Sequence, residues 1–164
     1  MKIVQKRRRR ENKPDYSLRL RILKQGTGRV VFRKTNRKII GQYVESNDSK
    51  DHVIAGFNSQ KLLKLGWPKE KSGSLKSLSA AYLSGLSLGK MMIKKSKKSA
   101  IFDLGLQRNT AKSRAYAFLK GVIDAGVSIP ADKSVFPEEI KIKGEKLGLK
   151  DVFAKTMENI SNGR

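Results

Sequence analysis

Two periodicities alternate along the chain from Asp15 onward. Leu18, Ile22 and Leu23 recur at helical spacing while Arg19 and Arg21 point elsewhere, so a short basic helix is predicted, capped by Asp15 and ended by Gly26 and Gly28. Val30-Val31-Phe32 and Ile39 to Val44 are β-prone runs around the polar segment Arg33 to Lys38, which reads as a hairpin. A turn at 46–49 leads to a third strand, His52 to Phe57. Ser59 is the expected cap of a helix over Gln60 to Leu65, stopped by Gly66, and residues 69–74 read as a flexible connection. A long helix is predicted from Leu75 to about Lys95, with Leu75, Leu78, Tyr82, Leu86, Gly89 and Ile93 on one face. Ala81, Gly85 and Gly89 on that helix leave room for a second backbone. Ser99 to Leu104 is a strand candidate, and a second amphipathic helix spans about Lys112 to Ala125, with Ala115, Phe118, Leu119 and Val122 inward and Gly126 after it. Pro137 opens a further helix with Glu138 and Glu139 in its first turn; Gly148 breaks it, and Leu149 to Ile160 form the last.

This order defines an α/β fold. A three-strand antiparallel meander is followed by a helix and a strand that returns parallel, the start of a ribonuclease-H-like sheet. The expected organisation is a basic arm over residues 1–14, one α/β domain over 15–130 and a helical C-terminal extension over 131–164. No internal repeat interrupts it.

Charge changes the picture most. The 164 residues carry 37 Lys and Arg against 14 Asp and Glu, a formal net charge of +23. A surface so positive repels itself unless an anion neutralises it. Nucleic acid is the natural partner, because each basic side chain that meets a phosphate releases condensed counterions. The hydrophobic share of 38% still supports a modest core.

The chain has no cysteine and one histidine, His52. Disulfides, thiolate metal sites, thiol nucleophiles and multi-histidine centres are thereby excluded. The basic start runs into Glu11 and Asp15 instead of an apolar signal core, and no stretch reaches the roughly 20 apolar residues of a membrane helix. A soluble intracellular protein is expected. Gly85 and Gly89-Lys90 lack phosphate-loop spacing, and Gly26-Thr27-Gly28 lacks a third glycine. A two-metal nuclease needs clustered carboxylates. Only Asp103 lies on a core strand, with Glu45 at a strand end and Asp124 on a helix, so Asp103 is read as a capping or loop-ordering residue and Asp124 as a helix-surface acid. His52 has no nucleophile beside it. No catalytic residue, metal or cofactor is assigned.

The basic segments are therefore the candidate chemistry. Arg7, Arg8, Arg9 and Arg10, flanked by Lys6 and Lys13, form an arm expected to be mobile when free, and arginine suits bidentate phosphate contact. Arg33, Lys34, Arg37 and Lys38 sit on a rigid hairpin whose Thr35 and Asn36 offer hydrogen bonds. Aromatics are only 7%, so backbone and shape, not base stacking, are the expected mode of recognition. An architectural DNA-binding protein is the alternative with the same charge.

Several longer runs resemble one family. These are Asp15-Tyr16 after the basic arm, Arg33 to Arg37, Gly66-Trp67, Ala80 to Lys90, Asp103 to Leu106, Ser113 to Gly126, and Ile129-Pro130 followed by Ile142 to Glu145. Taken in order over nearly the whole chain, they resemble the archaeal and eukaryotic branch of large-subunit ribosomal protein eighteen. The resemblance implies a non-catalytic fold of the ribonuclease-H-like translational-machinery type. It implies binding of 5S ribosomal RNA in the central protuberance, with contacts to the large-subunit rRNA and neighbouring ribosomal proteins, in the cytoplasm, without membrane or small-molecule substrate. Carried onto this chain, the RNA contacts are Lys6 to Arg10 and Lys13, then Arg19 and Arg21, then Arg33, Lys34, Thr35, Asn36, Arg37 and Lys38, and finally Arg108, Lys112, Ser113 and Arg114. The sequence departs from its relatives at Asn109, where proline is common, and at Ala111-Lys112, where Lys-Gly is common.

Overall fold

In the computed structural model, residues 7–11, 13–47, 50–145 and 148–162 are described, Arg9 by its backbone alone. Lys6, together with Asp48 and Ser49 of the expected turn, lies outside the described residues.

Four strands form one mixed sheet in the order β3-β2-β1-β4. β1 (Arg29–Lys34) pairs antiparallel with β2 (Ile39–Asn47), and β2 pairs antiparallel with β3 (Lys50–Asn58). β4 (Ile101–Asp103) pairs parallel with β1, matching Arg29 to Ile101 and Val31 to Asp103. β4 is shorter than the expected run and only half-buried, since it is an edge strand with one neighbour.

The helices are α1 (Arg7–Arg10), α2 (Tyr16–Lys24), α3 (Leu78–Lys94), α4 (Arg114–Asp124), α5 (Glu139–Lys143) and α6 (Lys150–Ser161). Asp15 caps α2 as expected, its Oδ1 accepting from Leu18 N at 3.2 Å. α3 begins at Leu78 after its cap Ser77, later than expected, and Leu75 is buried just ahead of it. It is also not a one-faced helix. Every residue from Ser79 to Gly89 is buried, because the sheet, α4, α5 and α6 all contact α3. Ile93, expected on the inner face, is 37% exposed where the helix leaves the core.

The expected close backbone approach is present. A Cβ at Gly85 would lie 2.0 Å from the Phe118 carbonyl oxygen, and one at Gly121 would lie 2.2 Å from that of Tyr82. Only hydrogen fits at either place, so α3 and α4 are fused into one layer. Ala115, Phe118, Leu119 and Val122 face it as predicted. Phe118 reaches the sheet and meets Phe32 with ring centroids 5.3 Å apart.

Three local expectations are corrected. The segment Ser59–Leu65 is a 3-10 helix capped by Asn58, whose Oδ1 accepts from Gln60 N at 3.1 Å. Ser59 cannot cap it, being fully buried with its Oγ accepting from Ile39 N at 3.0 Å. Residues 69–74 form 3-10 turns, tied down where Lys71 O accepts from Trp67 Nε1 at 3.1 Å and Lys71 Nζ donates to Gly148 O at 2.8 Å. The helix after Pro137 starts at Glu139, with Glu138 as its cap, and ends at Gly144, four residues before Gly148. Ile142, Leu149, Phe153 and Ile160 then join the main core, and Asn159 Nδ2 donates to Leu65 O at 2.9 Å.

Candidate nucleic-acid interface

Strand alternation gives the sheet two unlike faces. Val30, Phe32, Ile39, Tyr43, Ala55 and Phe57 point toward α3 and α4. Arg29, Val31, Arg33, Gln42, Val44 and Val53 line the other face, around a cavity of about 620 Å³ that α2 partly roofs with Leu18, Arg19 and Ile22. No residue of α2 is buried.

Arg29 is the charge at the centre of this second face, with 5% of its surface exposed. It donates to Asp51 Oδ1 at 2.8 Å, to Ser46 Oγ at 3.1 Å and to Asp103 Oδ2 at 3.3 Å. Asp51 also accepts from Arg19 at 3.1 Å, which ties α2 to β3. The Ser46 hydroxyl above all, then Arg29 and Arg19, hold the Asp51 carboxyl below its usual range, against the opposing effect of burial. Asp103 orders a loop, as expected: its Oδ1 accepts from Gly105 N at 2.7 Å, and the Arg33 guanidinium lies against Gly105. Arg33 also donates to Phe32 O at 2.9 Å.

The hairpin tip is locked internally. Thr35 N donates to Lys38 O at 2.9 Å, while Thr35 Oγ1 donates to the same oxygen and accepts from Arg37 N and Lys38 N at 3.3 and 3.0 Å. Thr35 therefore builds the turn with the hydroxyl that the sequence offered to a ligand. Asn36 keeps its side chain outward, while its carbonyl accepts from Lys76 Nζ at 2.9 Å. Arg33, Lys34 and Arg37 are exposed, and none pairs with an acid among the described residues; Lys38 is half-buried, with Nζ 3.5 Å from Gln60 Oε1.

In the arm, Arg7 pairs with Glu11 at 2.7 Å, Lys13 with Glu11 at 2.9 Å and Arg8 with Asp15 at 2.9 Å. Arg7 and then Lys13 hold the Glu11 carboxyl low. Arg10 is exposed and forms no ion pair among the described residues. Arg21, on α2, donates to Ser17 O of its own helix at 3.4 Å.

The remaining predicted residues gather at the start of α4. Lys34, Arg108, Lys112, Ser113 and Arg114 all border a second cavity, of about 560 Å³. Lys112 has φ +57°, which excludes it from the helix and explains why glycine suits this position. Its N–H donates to Val135 O at 2.8 Å, and Asn109 accepts from Tyr116 OH at 2.6 Å, so the departing residues are built into the loop.

The structure thus brings the predicted residues together in two places: Arg19 with Arg33, and Lys34 with the α4 loop. The arm reaches the first place through Pro14 and through Asp15, the partner of Arg8, whereas Arg37 borders neither cavity. Arg29 and Lys141, which also borders the second cavity, were missed. Alternation places Arg29 and Arg33 on one face of β1, opposite Val30 and Phe32, a signal present in the sequence. Nothing local marks Lys141. Of the basic turn after α3, Lys95 donates to Ile54 O and Lys97 pairs with Glu45 at 2.6 Å, so both cations serve the fold. Among the described residues no group of His, Asp and Glu has the geometry to hold a metal ion, and no helix is long and apolar enough to cross a membrane.

The α/β core carries basic side chains on a hairpin, a helix, an arm and a loop. Residues 2–100 match the family described as ribosomal large subunit proteins 60S L5 and 50S L18. The chain is 44% identical over 144 residues to "Large ribosomal subunit protein uL18" of Korarchaeum cryptofilum, covering 88% of this chain and 72% of the relative. It is 40% identical to the protein of that name from Methanococcoides burtonii (85% and 78% covered) and 36% identical to that of Methanothermobacter thermautotrophicus (86% and 71%). The chain belongs to this family of large-subunit ribosomal proteins, whose role is structural and not enzymatic.

Proposed function

We propose that this protein binds 5S rRNA and anchors it in the central protuberance of the large ribosomal subunit, touching the large-subunit rRNA and neighbouring ribosomal proteins as well. The observation that carries the reading is the separation of roles among the cations. Arg29, Lys95 and Lys97 are spent on the fold, whereas Arg10, Arg33, Lys34 and Arg37 are held at the surface without an acid among the described residues. Phosphate contacts of that kind set position, and the shape of a folded RNA sets selectivity. The interface comprises the arm, Arg19 and Arg21, the hairpin, and the loop from Arg108 to Arg114. Thr35 takes part through the turn it closes.

Replacing Arg7, Arg8, Arg9 and Arg10 together by alanine tests this. The expected result is weaker 5S rRNA binding, with the slope of log K against log salt shallower by about 0.7–0.9 for each phosphate no longer neutralised. An unchanged slope removes the arm from the mechanism. Equal affinity of the unmodified protein for duplex DNA and 5S rRNA overturns the reading in favour of an architectural DNA binder.

A further inference from the structure

A hairpin tip closed only on itself has a fixed shape but no fixed direction. Thr35 supplies the closure here, and the direction comes from outside the two strands. Lys76 Nζ donates to Asn36 O at 2.9 Å, across 40 positions of chain. Lys38 Nζ reaches Gln60 Oε1 at 3.5 Å, and that oxygen also accepts from Asn58 Nδ2 at 3.1 Å. Two elements therefore brace the tip: the turn before α3 and the 3-10 helix Ser59–Leu65.

The Lys76 brace is the firmer one. It is the shorter, and an ammonium bonded to a carbonyl is charge-assisted and stronger than a neutral pair. Its base is pinned on both sides. Leu75 is 3% exposed, Ser77 N donates to Ser74 O at 2.8 Å, and Ser77 Oγ caps α3 by accepting from Ala80 N at 3.2 Å. Lys76 itself is half-buried, whereas Arg37, one residue beyond the braced carbonyl, is exposed. Like Lys95, Lys76 gives its charge to a backbone oxygen. The difference is that its acceptor belongs to the turn that displays the free cations.

We propose that Lys76 is a positioning residue for RNA binding. It touches no phosphate, and through Asn36 O it fixes the direction in which the hairpin presents Arg33, Lys34 and Arg37. Ordering those side chains before the RNA arrives removes part of the entropy cost of binding. The inference rests on the RNA-binding reading above and adds to it a residue that acts at one remove.

Lys76→Met in the full-length chain tests this, with 5S rRNA affinity measured over a salt series. Affinity should fall about threefold to tenfold. The slope of log K against log salt should stay at the wild-type value, because no phosphate contact is lost. Lys76→Arg, which keeps a cationic donor, should restore affinity. In a chain already carrying Arg33→Ala, Lys34→Ala and Arg37→Ala, Lys76→Met should cost nothing further, because no hairpin cation is left to direct. A slope shallower by about 0.7–0.9 would make Lys76 a phosphate contact itself and overturn the positioning role. So would an equal loss in the chain without the three cations, whatever the urea midpoint of either variant. Failure of the unmodified protein to bind 5S rRNA removes the proposed function. Binding that Lys76→Met leaves at full strength removes only the positioning role.

Discussion

The two faces of the sheet share one backbone and behave as different materials. Toward α3 and α4, Phe32 meets Phe118 and the helices touch backbone to backbone at Gly85 and Gly121, so the layer is dry and held by shape. Toward α2, a buried arginine bridges two carboxylates above a cavity of about 620 Å³, and the covering helix buries no residue. One face derives its stability from packing, which salt and pH barely affect. The other derives it from charge, which both affect strongly. A protein whose partner is a polyanion thereby keeps its rigid layer insulated from the electrostatics of binding.

The largest effect should come from the packed face. Gly85→Val places a side chain against the Phe118 carbonyl and forces the fused helices apart. A destabilisation of about 3 kcal/mol or more is expected, at the top of the usual overpacking range because backbone, not a side chain, must yield. Urea denaturation measures it, and a midpoint close to wild type would show that the two helices slide freely.

Arg29→Ala strikes the charged face. It leaves Asp103 without its cation and Asp51 with Arg19 alone, a destabilisation of about 2 kcal/mol. That lies below the usual figure for a buried pair, because Asp51 keeps 38% of its side chain in solvent and is screened there. The destabilisation should grow at low salt, whereas that of Gly85→Val should not. Equal salt dependence of the two variants would erase the distinction between the faces.

Acid should separate them more gently. Asp51 has its carboxyl held below the ordinary value of 3.8 in the folded state. The unfolded chain therefore takes up the proton more readily, so this contribution is complete above the ordinary value and is lost as pH falls through the lowered one. Glu45, held low first by Lys97, acts in the same sense. Melting temperature should fall as pH drops below about 5 and keep falling through the lowered values, and Asp51→Asn should flatten part of that fall. Parallel curves for wild type and variant would show that Asp51 contributes nothing to holding α2. Tyr43, by contrast, is pushed up to about 12 by its burial and then by Glu45, so it stays neutral throughout this range.

Much of this was legible along the chain. The hairpin, the third strand, the inward positions of α4 and the glycines of α3 follow from periodicity and from turn residues, which act over a few neighbours. The resemblance to the ribosomal family was carried by runs spread over the same elements. Lengths and roles were harder to read. Ser59 and Thr35 are good local cap and ligand residues by type, yet one is taken by Ile39 N and the other by its own turn. Lys95 and Lys97 have the same composition as the free cations of the hairpin, and only their distance to Ile54 and Glu45 distinguishes them.

Local order along the polymer was enough to establish the α/β class, the cationic excess and the segments that carry it, because periodicity and charge are properties of neighbours. Which cations remain free and that Lys34, Ser113 and Lys141 share one cavity were settled by folding. Those residues lie far apart in sequence, and hydrogen bonding and burial depend on distances that exist only once the chain has closed on itself.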